Sequence, residues 1–232
     1  ATGLAPCLPR RWSPPTLSDM VIAYHVTLST YGFWLPNDPR GSGSEFVRSR
    51  TLYKHGKATR VSHRRSVANV DHDARKRLAA KVSLMYPPVV LTGIQARAVE
   101  RGFAKAVHEG EYLIYACAIL REHVHLVVAR HERRIEHIIS HLKANATRQL
   151  SKESIHPFAE YRNSTGKTPS PWAEHGWPVY LHNAAAVRRS ILYVEENPIR
   201  AGLPPQKWSF VVPFDWPAIK TTGAPTRPKG RR

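Results

Sequence analysis

The residues best placed to do chemistry are two histidines separated by one residue. His123 and His125 flank Val124 in a run that continues into the apolar residues 126–128. This pattern predicts a β-strand, in which alternate side chains leave on opposite faces, so both imidazoles point the same way, about 7 Å apart at their Cβ atoms. Such a pair can bind one cation if a third ligand comes from elsewhere. The alternative is a pair of polar side chains without metal.

A second set of candidate residues lies about seventy residues later. Tyr193 and Asn197 are four residues apart in a predicted helix, which places them on one face about 6 Å from each other. The Asn197 carboxamide oxygen can complete a coordination shell begun by the histidines, and Glu196 is the alternative third ligand. Phenols ionise near pH 10, so a tyrosine that attacks a phosphate needs a divalent cation to offset the developing charge. The alternative for Tyr193 is an ordinary packed aromatic side chain.

The charge of the chain indicates a polyanionic partner. The 35 Lys and Arg residues outnumber 17 Asp and Glu, which gives a formal net charge of +18 and a pI near 10.4. Nucleic acid is the first candidate. A membrane partner is disfavoured because no apolar run approaches the roughly 20 residues of a spanning helix. Cys7 and Cys117 form no CxxC motif and suit a reducing cytoplasm.

Periodicity along the chain predicts an α+β fold. The predicted elements are strand 21–30, a helix of about four turns after the Thr92 capping box, strands 112–120 and 123–128, helix 135–151, strand 179–181, and a helix capped by Asn183 that stops near Asn197 and Pro198. This order predicts a ferredoxin-like or RRM-like sandwich, an antiparallel sheet with helices on one face, plus an appended C-terminal helix. Residues 1–19 are interpreted as a disordered leader, 20–217 as one domain with an insertion at about 36–90, and 218–232 as a basic disordered tail.

Several polar side chains are candidates for contacts with nucleic acid. These are His25, Lys143, Asn145, Arg148, Arg188 and Arg189. His25 lies on the small, polar face of the first predicted strand, where a DNA contact or a structural role is favoured over metal ligation. Lys143 and Arg148 lie away from the apolar stripe of their predicted helix, so they can meet phosphates, and an ordinary solvated helix face is the alternative.

Two blocks of sequence carry a family resemblance. The first is His123-Val124-His125 with its apolar continuation, and the second is the block Tyr193-Val194-Glu195-Glu196-Asn197-Pro198-Ile199-Arg200-Ala201-Gly202-Leu203. Together they resemble the single-tyrosine HUH transposases, and among these the REP-associated tyrosine transposases, which carry an HUH pair followed by a Y-x-x-x-N-P-x-(K/R)-A-G block. The long 36–90 segment departs from the compact pattern of that family.

The resemblance implies a metal-dependent enzyme that nicks and joins single-stranded DNA near hairpins. Tyr193 would be the nucleophile that forms a 5′-phosphotyrosine and releases a 3′-hydroxyl, and His123, His125 and Asn197 would bind Mg²⁺ or Mn²⁺. A homodimer is possible, and the expected location is the bacterial cytoplasm, associated with the nucleoid. The alternatives are an HUH replication initiator or relaxase, and a non-catalytic protein that binds hairpin or single-stranded DNA.

Overall fold

The computed structural model of this protein describes residues 20–33, 35, 50–56 and 73–215. The expected leader, the expected basic tail and much of the 36–90 segment lie outside these described residues. The helices are α1 (Arg50–Tyr53), α2 (Ala74–Val82), α3 (Gly93–Gly110), α4 (Ile135–Lys152) and α5 (Ala184–Arg200), with a 3-10 turn at Ala159–Tyr161. The strands are β1 (Ala23–Ser29), β2 (Ile114–Ile119), β3 (His123–Ala129) and β4 (Trp177–Leu181).

The four strands form one antiparallel sheet in the order β2-β3-β1-β4. β2 turns directly into β3 through residues 120–122, so the two strands form a hairpin. With α3 between β1 and β2 and α4 between β3 and β4, this is the βαββαβ arrangement of a ferredoxin-like sandwich. The predicted α+β fold is confirmed.

One face of the sheet carries the larger hydrophobic core. Alternate residues of the strands, such as Val26 and Leu126, pack there against the apolar stripes of α3 and α4. The predicted capping box begins α3: the Thr92 hydroxyl accepts a hydrogen bond from the Gln95 backbone, and the Gln95 side chain accepts one from the Thr92 backbone. This face gives the sheet a rigid support.

The opposite face is covered by α5 through a smaller core. Val187 and Val194 of α5 pack on small side chains that include Ala23, Ala116 and Ala118 of the sheet. Because alanines leave the helix backbone close to the strands, the polar residues beside them come within reach of side chains on α5. The helix that carries Tyr193 therefore lies over the same face as His123 and His125.

The predicted end of α5 near Asn197 is wrong, because the helix continues through Pro198 to Arg200. Proline lacks an N–H and disfavours helical angles in the residue before it, which was the reason for expecting a stop. Pro198 is buried, and it stands in the last turn of α5, where only one helical hydrogen bond is lost. Asn197 is thereby held inside a regular helix.

The segment after α5 returns to the sheet and covers the edge of β2. The Gln206 side chain accepts a hydrogen bond from Ile119 N and donates one to Ile119 O, both at 2.8 Å. Phe210 is buried in the larger core and Trp208 packs against that core. Among the helices that the structure describes, none is long and apolar enough to span a bilayer.

The contact between α3 and α4 yields a test of this packing. A Cβ atom at Gly102 would stand 2.5 Å from the Ala146 Cα atom, whereas a Cβ at Gly93, in the same helix, would meet nothing within 4 Å. We expect Gly102→Ala to lower the free energy of unfolding by about 1–3 kcal/mol through overpacking. Gly93→Ala should leave it unchanged or raise it slightly. Urea unfolding followed by circular dichroism measures both, and equal effects would contradict the close approach.

Candidate active site

The strand register collects histidines from two neighbouring strands on the face beneath α5. His123 and His125 of β3 leave on this face, and Thr27 and Ser29 of β1 stand opposite them as cross-strand partners. His25 lies two residues before Thr27 and therefore on the same face. The His123 and His125 rings are 4.8 Å apart between centroids, and those of His25 and His125 are 5.2 Å apart. The structure thus brings three imidazoles together, whereas the His123-Val124-His125 motif contains two.

Hydrogen bonds orient the central imidazole of this group. The Nδ1 atom of His125 lies 3.1 Å from His25 Nε2 and 3.2 Å from Thr27 Oγ1. A neutral His125 with its proton on Nδ1 donates it to one of these atoms and keeps the lone pair of Nε2 for a cation. His25 and Thr27 are therefore placed to set the tautomer and orientation of His125. Thr27 was not singled out from the sequence, although its spacing of two from His25 is the signal that could have found it.

Burial keeps the imidazoles of His25 and His125 uncharged at neutral pH. Removal from water lowers the pKa of His25 to about 4. Burial, with the nearby His123 and His25, lowers the pKa of His125 well below its ordinary value. Metal ligation by histidine requires the neutral ring, so the environment favours the form that can bind a cation.

Tyr193 of α5 packs directly on this histidine group. The centroid of its ring lies 5.5 Å from that of His25 and 5.5 Å from that of His125. The side chain is 41% exposed, so a large substrate can approach it from solvent. All of these residues belong to one chain.

Asn197, one turn after Tyr193, has an incompletely satisfied side chain. Among the described residues, its Nδ2 atom is buried without a hydrogen-bond partner. Rotation of the carboxamide by 180° would place Oδ1 at that position, where a cation could satisfy it. Within the described part of the chain, no three His, Cys, Asp or Glu side chains form a metal-holding group. Ligation of a cation by His123, His125 and Asn197 stays a prediction.

Two further side chains border this site. The Phe33 ring stacks on His123 at 4.8 Å between centroids, with an interplanar angle of 21°. The Arg200 guanidinium lies over the Tyr193 ring at 6.0 Å and also pairs with Glu196. This ion pair occupies the carboxylate of Glu196, the alternative ligand. Phe33 was assigned no role from the sequence, because its contact with His123 joins distant parts of the chain. Arg200 was not assigned one either, although its spacing of four from Glu196 and seven from Tyr193 is a helical signal that could have found it.

The DNA-contact candidates on α4 lie on the other side of the sheet from Tyr193. Asn145 is buried between α3 and α4, where its amide group donates to Glu109, so its prediction as a surface contact is wrong. The Lys143 ammonium group donates hydrogen bonds to the backbone carbonyls of Ala173 and His175, both at 2.6 Å, and burial lowers the pKa of Lys143 to about 8. Arg148 is exposed. DNA contacts by Lys143 and Arg148 stay predictions.

The two arginines of α5 and His25 are placed closer to the candidate site. Arg188 and Arg189 are exposed on the helix that carries Tyr193, and the Arg188 guanidinium lies 5.7 Å over the Phe214 ring. Their contacts with DNA stay predictions. His25 was expected as a DNA contact or a structural group, and the structure places it against His125 beneath α5.

The lowered pKa of His25 predicts a dependence of stability on pH. Unfolded His25 takes up a proton near pH 6.5, whereas folded His25 does so only at about 4, so acid favours the unfolded chain. As the pH falls from 6.5 to 4, the free energy of unfolding should drop by up to about 3 kcal/mol more in the wild type than in His25→Gln. Urea unfolding across this range measures the difference, with the exposed His137→Gln as control. A wild-type slope equal to that of His25→Gln would contradict the burial of this imidazole.

Comparisons with known proteins were made with both the sequence and the structure. No protein-family model matches the sequence, and no curated protein matches it. Among solved structures, the chain is similar to one described as the REP-associated tyrosine transposase bound to a REP hairpin, with 13% sequence identity, a TM-score of 0.43 and 92% of each chain covered. It is also similar to a putative transposase from Deinococcus radiodurans R1, with 11% identity, a TM-score of 0.37, and 82% of this chain and 96% of that chain covered. These two solved structures are both described as transposases.

Proposed function

We propose that this protein is a metal-dependent transposase-type enzyme that nicks and joins single-stranded DNA through Tyr193. The observation that carries the proposal is the contact of the Tyr193 ring, 41% exposed, with the rings of His25 and His125 at 5.5 Å each. A phenol beside a group of neutral imidazoles, in a chain of net charge +18, suits attack on a phosphodiester. The two sequence blocks that resemble the HUH transposases point to the same chemistry.

His123, His125 and Asn197 are the residues that would hold a divalent cation. The neutral imidazole of His125 fits such an ion, and so does the buried amide of Asn197 that lacks a partner among the described residues. Nitrogen and amide oxygen donors suit Mn²⁺ or Mg²⁺. When bound, the cation would supply positive charge that offsets the charge developing on the phosphate.

The residues of the chain carry the remaining steps. The Tyr193 oxygen attacks the phosphorus, the bond to the 3′ oxygen breaks, and the DNA 5′ end remains attached as a phosphotyrosine while the other end leaves as a 3′-hydroxyl. The phenol proton is lost to a base in the solvent that reaches the exposed Tyr193 side chain, and the leaving 3′ oxygen takes up a proton from solvent. Return attack by a 3′-hydroxyl rejoins the strands, since the phosphotyrosine conserves the energy of the broken bond.

The first test is a covalent adduct with DNA. Wild-type protein incubated with labelled hairpin and single-stranded oligonucleotides in Mn²⁺ or Mg²⁺ should form a protein–DNA species that survives denaturing electrophoresis. Tyr193→Phe should abolish it, because the attacking oxygen is lost, and Tyr180→Phe, on β4, is the matched control that should retain it. An adduct that persists in Tyr193→Phe would show that another nucleophile acts. Binding without any wild-type adduct would favour the non-catalytic alternative.

A second test separates the two candidates for the third ligand. Asn197→Ala should weaken Mn²⁺ binding at least about ten-fold, because an oxygen donor is removed. Glu196→Gln should leave the affinity nearly unchanged, because the Glu196 carboxylate pairs with Arg200. Isothermal titration of each variant with Mn²⁺ gives the comparison, and circular dichroism checks that both are folded. The reverse order of effects would make Glu196 the ligand.

A further inference from the structure

One face of β4 exposes an aromatic side chain, Trp177, beside the candidate active site. In this strand Trp177, Val179 and Leu181 share one face, and Pro178 and Tyr180 share the other. Leu181 is buried beneath α5, whereas Val179 is 47% and Trp177 50% exposed. α5 therefore covers the end of β4 at Leu181 but does not cover the first half of the strand.

Trp177 lies in one row with the residues of the site. It pairs in register with Thr27 of β1, and Thr27 pairs with His125 of β3. Cross-strand neighbours have side chains on the same face, and two strand spacings place Trp177 about 10 Å from His125 along the row. A DNA strand held at Tyr193 and His125 would therefore have a neighbouring nucleotide within reach of the Trp177 indole.

The chain holds the backbone before Trp177 firmly in place. The Lys143 ammonium group, reaching from α4, donates to the carbonyls of Ala173 and His175 at 2.6 Å. Gly176 packs so tightly that an added Cβ would lie 2.9 Å from the Leu28 side chain. An exposed aromatic ring on a fixed backbone loses little conformational entropy when a ligand stacks on it.

We propose that Trp177 is a stacking site for an unpaired nucleobase next to the DNA phosphate held at Tyr193. The inference rests on the proposed function for the identity of that phosphate. Large exposed aromatic side chains on a sheet face are the means by which proteins bind single strands, and every base offers a face for stacking. The net charge of +18 favours a polyanion over a neutral ligand or a second copy of this basic chain. Val179 adds apolar surface beside the ring.

The test measures binding without cleavage. Fluorescence anisotropy with a labelled 20-nucleotide oligothymidine in EDTA gives the affinity for a single strand, and a blunt duplex of equal length is the control probe. Trp177→Ala should weaken single-strand binding by about five-fold to more than a hundred-fold, with little change for the duplex. Trp177→Phe should retain most of the affinity and Trp177→Leu should not, because only Phe keeps an aromatic plane.

Tyr180→Ala is the matched control, since Tyr180 stands on the same strand, on the opposite face, and is 49% exposed. It should bind oligothymidine as the wild type does. Photocrosslinking with an oligothymidine that carries one 5-iodouracil should place the crosslink in the peptide containing Trp177. Thermal unfolding confirms that each variant is folded.

Several outcomes would overturn the inference. They are wild-type affinity in Trp177→Ala, an equal loss in Tyr180→Ala, and a change from dimer to monomer in Trp177→Ala without a loss of DNA affinity, which would assign this surface to a second copy. Because binding is measured in EDTA, the result is independent of adduct formation. A Tyr193-dependent adduct together with unaltered binding in Trp177→Ala would leave the proposed function standing and reject the stacking site alone.

Discussion

The packing of α5 on the polar face of the sheet is the contact on which the candidate site depends. Val187 and Val194 of the helix pack against alanines of the strands, and the small size of those alanines lets the helix lie close to the sheet. This contact removes His25 and His125 from water and places the Tyr193 ring against both. Without this packing, the imidazoles would be solvated and the Tyr193 phenol would not lie beside them.

One face of the sheet mainly stabilises the fold, and the other face carries the candidate site. The larger core, under α3 and α4, is built almost entirely of apolar side chains. The face under α5 buries imidazoles, whose loss of hydration is partly offset by the hydrogen bonds that link His25 and Thr27 to His125. Lys143 connects α4 with the segment that leads into β4, so the rigid side also positions the strand at the edge of the site.

The differences between prediction and structure have a common physical origin. Asn145 and Lys143 are polar, and a pattern of polar residues on a helix is normally read as a solvated face. A second helix and a loop cover these positions, where Asn145 Nδ2 donates to Glu109 and the Lys143 ammonium group donates to backbone carbonyls. Proline likewise ends most helices, but Pro198 stands in the last turn of α5, where it costs the helix little stability. In each case, the tertiary environment outweighed the local preference.

The sequence by itself determined the elements and their order, because alternating and helical periodicities, the Thr92 capping box and the Asn183 cap are local signals. It also identified His123, His125, Tyr193 and Asn197 as candidates, since two short motifs carry them. Only the tertiary structure decided that His25 and Thr27 join His125 and that Trp177 stands in the same row. These contacts join residues on different strands, and their register depends on the packing of the whole sheet rather than on neighbours in the chain.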